Sequence, residues 1–317
     1  MARHFAFNGD ADGLCALQQF RLGESDPVSL VTGVKRDIGL VGRVRALPGD
    51  EVTVLDISFE PNAKPVLALL ASGVMVRYFD HHFPGALATH PGLELHIQQS
   101  PEVCTSLIVN AYLKKRWPLW AAVGAFGDNL DSPARKLAES AGLSADETEL
   151  LRNLGICLNY NSYGESEDDL LIAPAELHRR LIRFQNPVEF SRSDALFEQL
   201  RARYLSDLEN ANHTKPLAFS DAAAVYVLPD MAWSRRVSGT WAHYIANENP
   251  HRAHAVLTRS GRGGFTVSVR AAKVRPRGAA EFCRKFDGGG RDGAAGINDL
   301  PAQALDAFGA EFLAYFV

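Results

Sequence analysis

The first third of the chain alternates short apolar runs with longer segments of helical periodicity. HFAF (4–7), VSLVTG (28–33), EVTVLDIS (51–58) and VMVRYFD (74–80) predict strands. Between them, GLCALQQFRL (13–22), a weaker DIGLVGRVRAL (37–47) and NAKPVLALLASG (62–73) predict helices, the last stopped by its glycine. Strands separated by helices of about ten residues imply βαβ units and a parallel sheet. LIVNAYLKKRW and LWAAVGAFGD continue as helices, and the pattern stays mainly helical over 134–212. There, EFSRSDALFEQLRARYLSDLENANHT predicts one long connecting helix. After Lys215 the period changes again. AAAVYVL, AHAVLTR and FTVSVRA predict strands, and GTWAHYIANEN, GAAEFCRKF and ALDAFGAEFLAYF predict helices. The expected fold class is α/β. A doubly wound parallel-sheet domain is expected over 1–190, a connecting helix over 191–213 and a smaller α/β domain over 214–317.

Composition narrows this only a little. With 46% hydrophobic and 22% charged residues over 317 positions, the chain is globular in character. No apolar run approaches the roughly 18 residues of a membrane span. The N-terminal MARHFAF lacks the pattern of a secretory signal, so no membrane partner is expected. Cys15, Cys104, Cys157 and Cys283 form no CxxC pair. That argues against a disulfide framework or a cysteine zinc site, and fits a reducing cytoplasm. The net charge of −4 argues against long duplex nucleic acid as partner. The basic residues are concentrated: ten lie between Arg252 and Arg291, opposed only by Glu281 and Asp287. A homodimer is compatible with all of this.

The acids carry the chemistry. In a parallel α/β sheet, ligands bind beyond the carboxyl ends of the strands. Asp10 and Asp12 follow the first strand, Asp56 ends VTVLD, Asp80, His81 and His82 end VMVRYFDHH, and Asp128 ends AAVGAFGD. Any one of these features is as readily a turn or a helix cap as a ligand. Together they would converge on one rim, where several carboxylates repel and are costly to desolvate. Divalent cations resolve that conflict. Mixed Asp and His ligands suit manganese, iron or cobalt, and magnesium less well. Two ions about 3.5–4 Å apart form a device for phosphoryl displacement.

NGDADG, VLDIS, YFDHH and GAFGDN, in this order, resemble the four motifs of the DHH phosphoesterases. GGGRDGAAG (288–296), with SVRA (268–271) upstream, resembles their DHH-associated substrate-binding domain. The resemblance runs from about residue 5 to 297. It implies a two-domain hydrolase with two divalent ions, manganese first and magnesium, cobalt or iron as alternatives. Carried over, Asp10 would bind one ion and Asp12 the other, Asp56 would bridge them, and His81 and Asp128 would complete the ligand set of the second ion. His82 would contact the scissile phosphate and Asp80 would orient a histidine. Two departures stand out. Ala6 occupies a position where many members carry a histidine, leaving Asn8 as a direct or water-linked substitute. Arg291 replaces the histidine of the usual GGGH.

For substrate, Gly288, Gly289 and Gly290 would let the backbone approach an anion closely. Arg270 and Arg291 are the leading phosphate contacts, since arginine binds phosphate bidentately. Thr105 and Ser106, opening a helix, offer hydroxyls, and Lys35 and Arg36 follow the second strand. The expected activity is hydrolysis of short oligonucleotides or linear dinucleotides to 5′-mononucleotides. Alternatives are a phosphatase of 3′-phosphoadenosine 5′-phosphate or another nucleoside bisphosphate, a pyrophosphate or polyphosphate hydrolase, and a nucleotide-binding sensor without catalysis.

Overall fold

A computed structural model of the protein describes residues 1–24 and 26–317, which form two compact units. The first comprises 1–162 and 166–201, and the second 163–165 and 202–317. In chain order the first unit contains β1 (Arg3–Phe7), α1 (Ala11–Arg21), β2 (Ser29–Val31), β3 (Glu51–Leu55), α2 (Phe59–Ala71), β4 (Met75–Asp80) and β5 (Leu93–Ile97). The helices α3 (Thr105–Tyr112), α4 (Pro118–Gly127), α5 (Asp131–Ser140), α6 (Ala145–Tyr160), α7 (Pro174–Leu181) and α8 (Pro187–Ser193) follow. Helix α9 (Ala195–Asn212) begins in the first unit and ends in the second. No helix among the described residues is long and apolar enough to cross a membrane.

The first sheet has the order β2-β1-β3-β4-β5, with every pair parallel. Strand alternation sorts its side chains onto two faces. Ala6, Val52, Val54, Val76 and Tyr78 pack with Phe59, Val66 and Leu70 of α2. On the other face Phe5 and Phe79 meet Phe20 of α1, with ring centroids 6.0 and 5.3 Å apart. Both faces are therefore helix-covered, and the sheet is doubly wound. The chain leaves β1 toward β2 on one side and returns to β3 on the other. The carboxyl ends of β1 and β3 thus flank a topological switch point, the place where such sheets bind ligands.

Three segments differ from the sequence pattern. Residues 37–47 make only a 3-10 turn over Leu40–Arg43. Gly39, Gly42 and the β-branched Val41 and Val44 give little helix propensity there. The strand β5 is short, half-buried and at the sheet edge, and its LELHI alternation is too brief to stand out. The expected long helix is broken at Asp194, which has extended backbone (φ −96°, ψ 121°). Its carboxylate accepts the Leu196 N–H at 2.9 Å and pairs with Arg180, capping α9 instead of continuing α8.

The second unit contains β6 (Ala218–Phe219), β7 (Ala223–Val227), α10 (Ala232–Glu248), β8 (Ala253–Arg259), β9 (Phe265–Arg270), α11 (Ala279–Arg284), β10 (Gly289–Arg291), β11 (Ala294–Leu300) and α12 (Leu305–Tyr315). Its sheet runs β10-β11-β9-β8-β7-β6 and is antiparallel except between β7 and β8. One face is covered by α11 and α12 around Phe282, whose ring touches Phe286, Phe308, Phe312, Tyr315 and Phe316.

Candidate metal centre

The NGDADG segment turns directly from β1 into α1. Asp10 is the N-cap: its Oδ1 accepts the N–H of Asp12 at 3.1 Å and of Gly13 at 3.0 Å, satisfying two orphan donors of the first turn. Its Oδ2 is paired with Lys35 Nζ. The turn is tight enough that a Cβ on Gly13 would lie 2.2 Å from the Asn8 carbonyl oxygen. The buried Asn8 braces it. Its Oδ1 accepts the Asp10 N–H at 3.2 Å and its Nδ2 donates to the Lys35 carbonyl at 3.1 Å. The Asn8 amide is thus committed at both ends to the loop.

Asp12 reaches across to another helix. Its Oδ2 accepts the Thr105 N–H and its Oδ1 the Ser106 N–H, both at 2.7 Å. An anion at the N-terminus of α3 is favoured by the exposed donors and by the helix dipole. The hydroxyls of Thr105 and Ser106 point inward as well. Thr105 Oγ1 donates to Asp56 Oδ1 at 3.0 Å, and Ser106 Oγ donates to the Ala121 carbonyl at 3.3 Å. Both residues are fully buried. In this structure they hold carboxylates, where the sequence suggested substrate hydroxyls.

Asp56 follows β3 in the left-handed region, with φ 59°, a conformation that aspartate tolerates better than most residues. Its carboxyl is pushed well up, by burial first and then by the charges of Asp10 and Asp12. Asp80 and His82 form a pair, with His82 Nδ1 2.7 Å from Asp80 Oδ1. Burial opposes charge on both. Their mutual attraction prevails, lowering the Asp80 carboxyl and raising the His82 imidazole. The other oxygen of Asp80 is buried with no hydrogen-bond partner among the described residues. The His82 side chain is 42% exposed.

His81 fixes the character of the cluster. Its Nδ1 lies 3.0 Å from the Val103 carbonyl, which can only accept, so Nδ1 carries the proton. Nε2 is then the nitrogen left for the cluster, and it faces Asp56 Oδ1 at 3.4 Å, Asp128 Oδ2 at 3.8 Å and Asp12 Oδ2 at 3.9 Å. Three carboxylates crowded around one imidazole nitrogen repel one another, and a cation held among them relieves that repulsion. Nitrogen and carboxylate donors, with the far ring nitrogen tied to a carbonyl, make the donor set of a transition-metal site. One ligand atom each from Asp56, His81 and His82 also lies within 4.8 Å of the others. The residues present therefore fit a divalent ion. Asp128, which ends α4, stands at the open side, its side chain 14% exposed.

The cysteines take no part. All four are buried, with no disulfide among the described residues. Burial pushes the Cys15 and Cys104 thiols well up and Cys157 up to about 12, so none of these three is a ready thiolate.

In the second unit, GGGRDGAAG forms a β-hairpin. Gly290 has φ 139°, and a Cβ there would lie 2.6 Å from the Ala295 Cα; a Cβ on Gly288 would lie 2.4 Å from the Gly296 carbonyl oxygen. These two glycines let strands approach each other, while Gly289 opens onto free space. The register aligns Arg291 with Ala294, Ala294 with Arg270, and Arg270 with His254. Directly opposed residues share a face. Both arginines thus stand in one row with the small Ala294 between them. Arg270 Nη2 lies 3.0 Å from His243 Nε2. Neither His243 nor the Lys35–Asp10 pair was singled out by the sequence, because both contacts cross between separate elements.

A doubly wound sheet with a carboxylate–imidazole cluster at its switch point defines the class: an α/β protein with a candidate metal centre. The solved structures it resembles carry this further. No family model matches the sequence, and no curated protein matches it significantly. A DHH-domain protein described as a member of a family of ribosomal proteins aligns over 98% of this chain and 86% of its own, at 13% identity and a TM-score of 0.65. The exonuclease RecJ bound to manganese aligns over 99% and 89%, at 20% identity and a TM-score of 0.62. PggH from Vibrio cholerae, a pGpG-specific phosphodiesterase, aligns over 100% and 99%, at 13% identity and a TM-score of 0.56. The fold is that of DHH-domain proteins.

Proposed function

We propose that this protein is a metal-dependent phosphoester hydrolase of short nucleotide substrates. One observation carries the reading: His81 Nε2, its ring oriented by Val103, faces Asp12, Asp56 and Asp128 within 4 Å. Asp12, Asp56, His81 and Asp128 hold the ion, and manganese suits the imidazole in the set better than magnesium. When bound, a divalent ion polarises the phosphoryl oxygens and acidifies a water nucleophile. The chain's residues do the rest. Asp80 holds the His82 ring through Nδ1 and favours its charged form, so that Nε2–H can donate to a phosphate oxygen at the accessible edge of the cluster. Thr105 Oγ1 and the Thr105 and Ser106 N–H groups fix the orientation of Asp56 and Asp12.

Arg270 and Arg291, in one row of the second sheet, supply phosphate-binding charge. The net charge of −4 favours short substrates over long strands, whose binding relies on many phosphate contacts. We therefore assign linear dinucleotides and short oligonucleotides as substrates. Hydrolysis breaks the bond between phosphorus and O3′, and the water oxygen ends on the 5′-phosphate of the released mononucleotide. The test is a panel of dinucleotides, longer oligomers and a nucleoside 3′,5′-bisphosphate, incubated with Mn2+ and resolved by chromatography. Mononucleotides from dinucleotides are expected, with rates falling as the oligomer lengthens. Inorganic phosphate from the bisphosphate, with dinucleotides left intact, would reassign the protein as a phosphomonoesterase.

A further inference from the structure

The resemblance to DHH phosphoesterases implies two ions, but Asp10 already has a cation. Its Oδ2 is paired with Lys35 Nζ and its Oδ1 accepts two backbone N–H groups, so both oxygens are engaged. The ammonium is firmly held. Lys35 Nζ also donates to Asn159 Oδ1 at 3.1 Å, the Lys35 N–H donates to the Ser162 carbonyl at 2.8 Å, and the Lys35 carbonyl accepts from Asn8. Its side chain is only a quarter exposed. Neither of the two neighbours on the β1 side offers a ligand: Ala6 packs into the apolar layer against α2, and the Asn8 amide is bonded at both ends. The carboxylates around His81 Nε2 are Asp12, Asp56 and Asp128, with Asp10 outside that group. A second dication beside Asp10 would meet a carboxylate already neutralised and an ammonium that repels it.

We propose that the Lys35 ammonium is the built-in counter-cation of Asp10, so that the cluster takes one divalent ion, through Asp12, Asp56, His81 and Asp128, instead of two. This rests on the metal reading above, and the test separates the two. Purified protein is equilibrated with Mn2+ by dialysis, its metal content measured, and its electron paramagnetic resonance spectrum recorded, alongside Lys35→Ala and Asp10→Asn. One Mn2+ per wild-type chain with an uncoupled spectrum is expected. Lys35→Ala is expected to gain a second ion and an exchange-coupled spectrum, and Asp10→Asn to keep its one ion at wild-type affinity. Two coupled ions in the wild type would overturn the assignment and leave the metal centre standing. So would a Lys35→Ala protein still at one ion, or a drop in Asp10→Asn affinity of about tenfold or more, the loss typical of a side chain that supports a metal. No Mn2+ in the wild type would overturn the metal centre itself and this assignment with it.

Discussion

His81 has only one nitrogen to offer the cluster, because Val103 has taken the other. His81→Ala should therefore lower Mn2+ affinity by about ten- to a hundredfold or more, as loss of metal-supporting groups does, measured by calorimetric titration. Asp56 makes a second test at the same scale. Asparagine tolerates a φ of 59° nearly as well as aspartate, so Asp56→Asn should fold, melt close to the wild type and lose hydrolysis. A cooperative melt with full activity would remove Asp56 from the site. His178 offers a pH test at a residue outside the proposed metal set. Burial, with Arg21 and Arg179, holds its imidazole down to about 4. The folded protein thus binds its proton more weakly than the unfolded chain, whose histidine titrates near 6.5. The resulting stability is intact above about pH 6.5 and declines as pH falls toward 4. In His178→Leu that part of the decline should vanish, which melting temperatures recorded from pH 7 to pH 4 would reveal.

The elements set those residues in place, and the sequence announced most of them. The strands β1 to β4, and the acids at or just after the ends of β1, β3 and β4, were legible because a buried parallel strand is an apolar run and an acid at its end breaks the pattern. What the sequence could not show were contacts between elements. The N-terminus of α3 grips Asp12 through backbone N–H groups, which any sequence would supply. Lys35 reaches Asp10 across 25 residues, whereas its place after the second strand had set it among the candidate substrate contacts. The strands within GGGRDGAAG were not in the pattern, since their pairing depends on β9 and on each other and not on local propensity. The β1–α1 elbow yields an inverted expectation. Glycine to alanine inside a helix ordinarily stabilises by about 0.5–1 kcal/mol. At Gly13 the new Cβ would meet the Asn8 carbonyl oxygen at 2.2 Å, so Gly13→Ala should cost on the order of 1–3 kcal/mol instead. Urea denaturation gives the sign.

For the whole molecule, each unit has its own apolar core, and every residue of the proposed metal set belongs to the first. Phe282→Ala removes the ring at the centre of the second core, a change that costs about 3–5 kcal/mol in a packed interior. Calorimetry should show a lowered transition for the second unit, with Mn2+ binding by the first unchanged. The arginine row lies in the second unit. The direct measurement of the central claim is the Mn2+ dependence of dinucleotide hydrolysis. Chelator-stripped protein is supplied with a 5′-phosphorylated linear dinucleotide and increasing Mn2+, and products are followed by chromatography. Release of 5′-mononucleotides that rises and saturates as Mn2+ fills the cluster is predicted. Intact dinucleotide at saturating, directly measured Mn2+ occupancy would contradict the account.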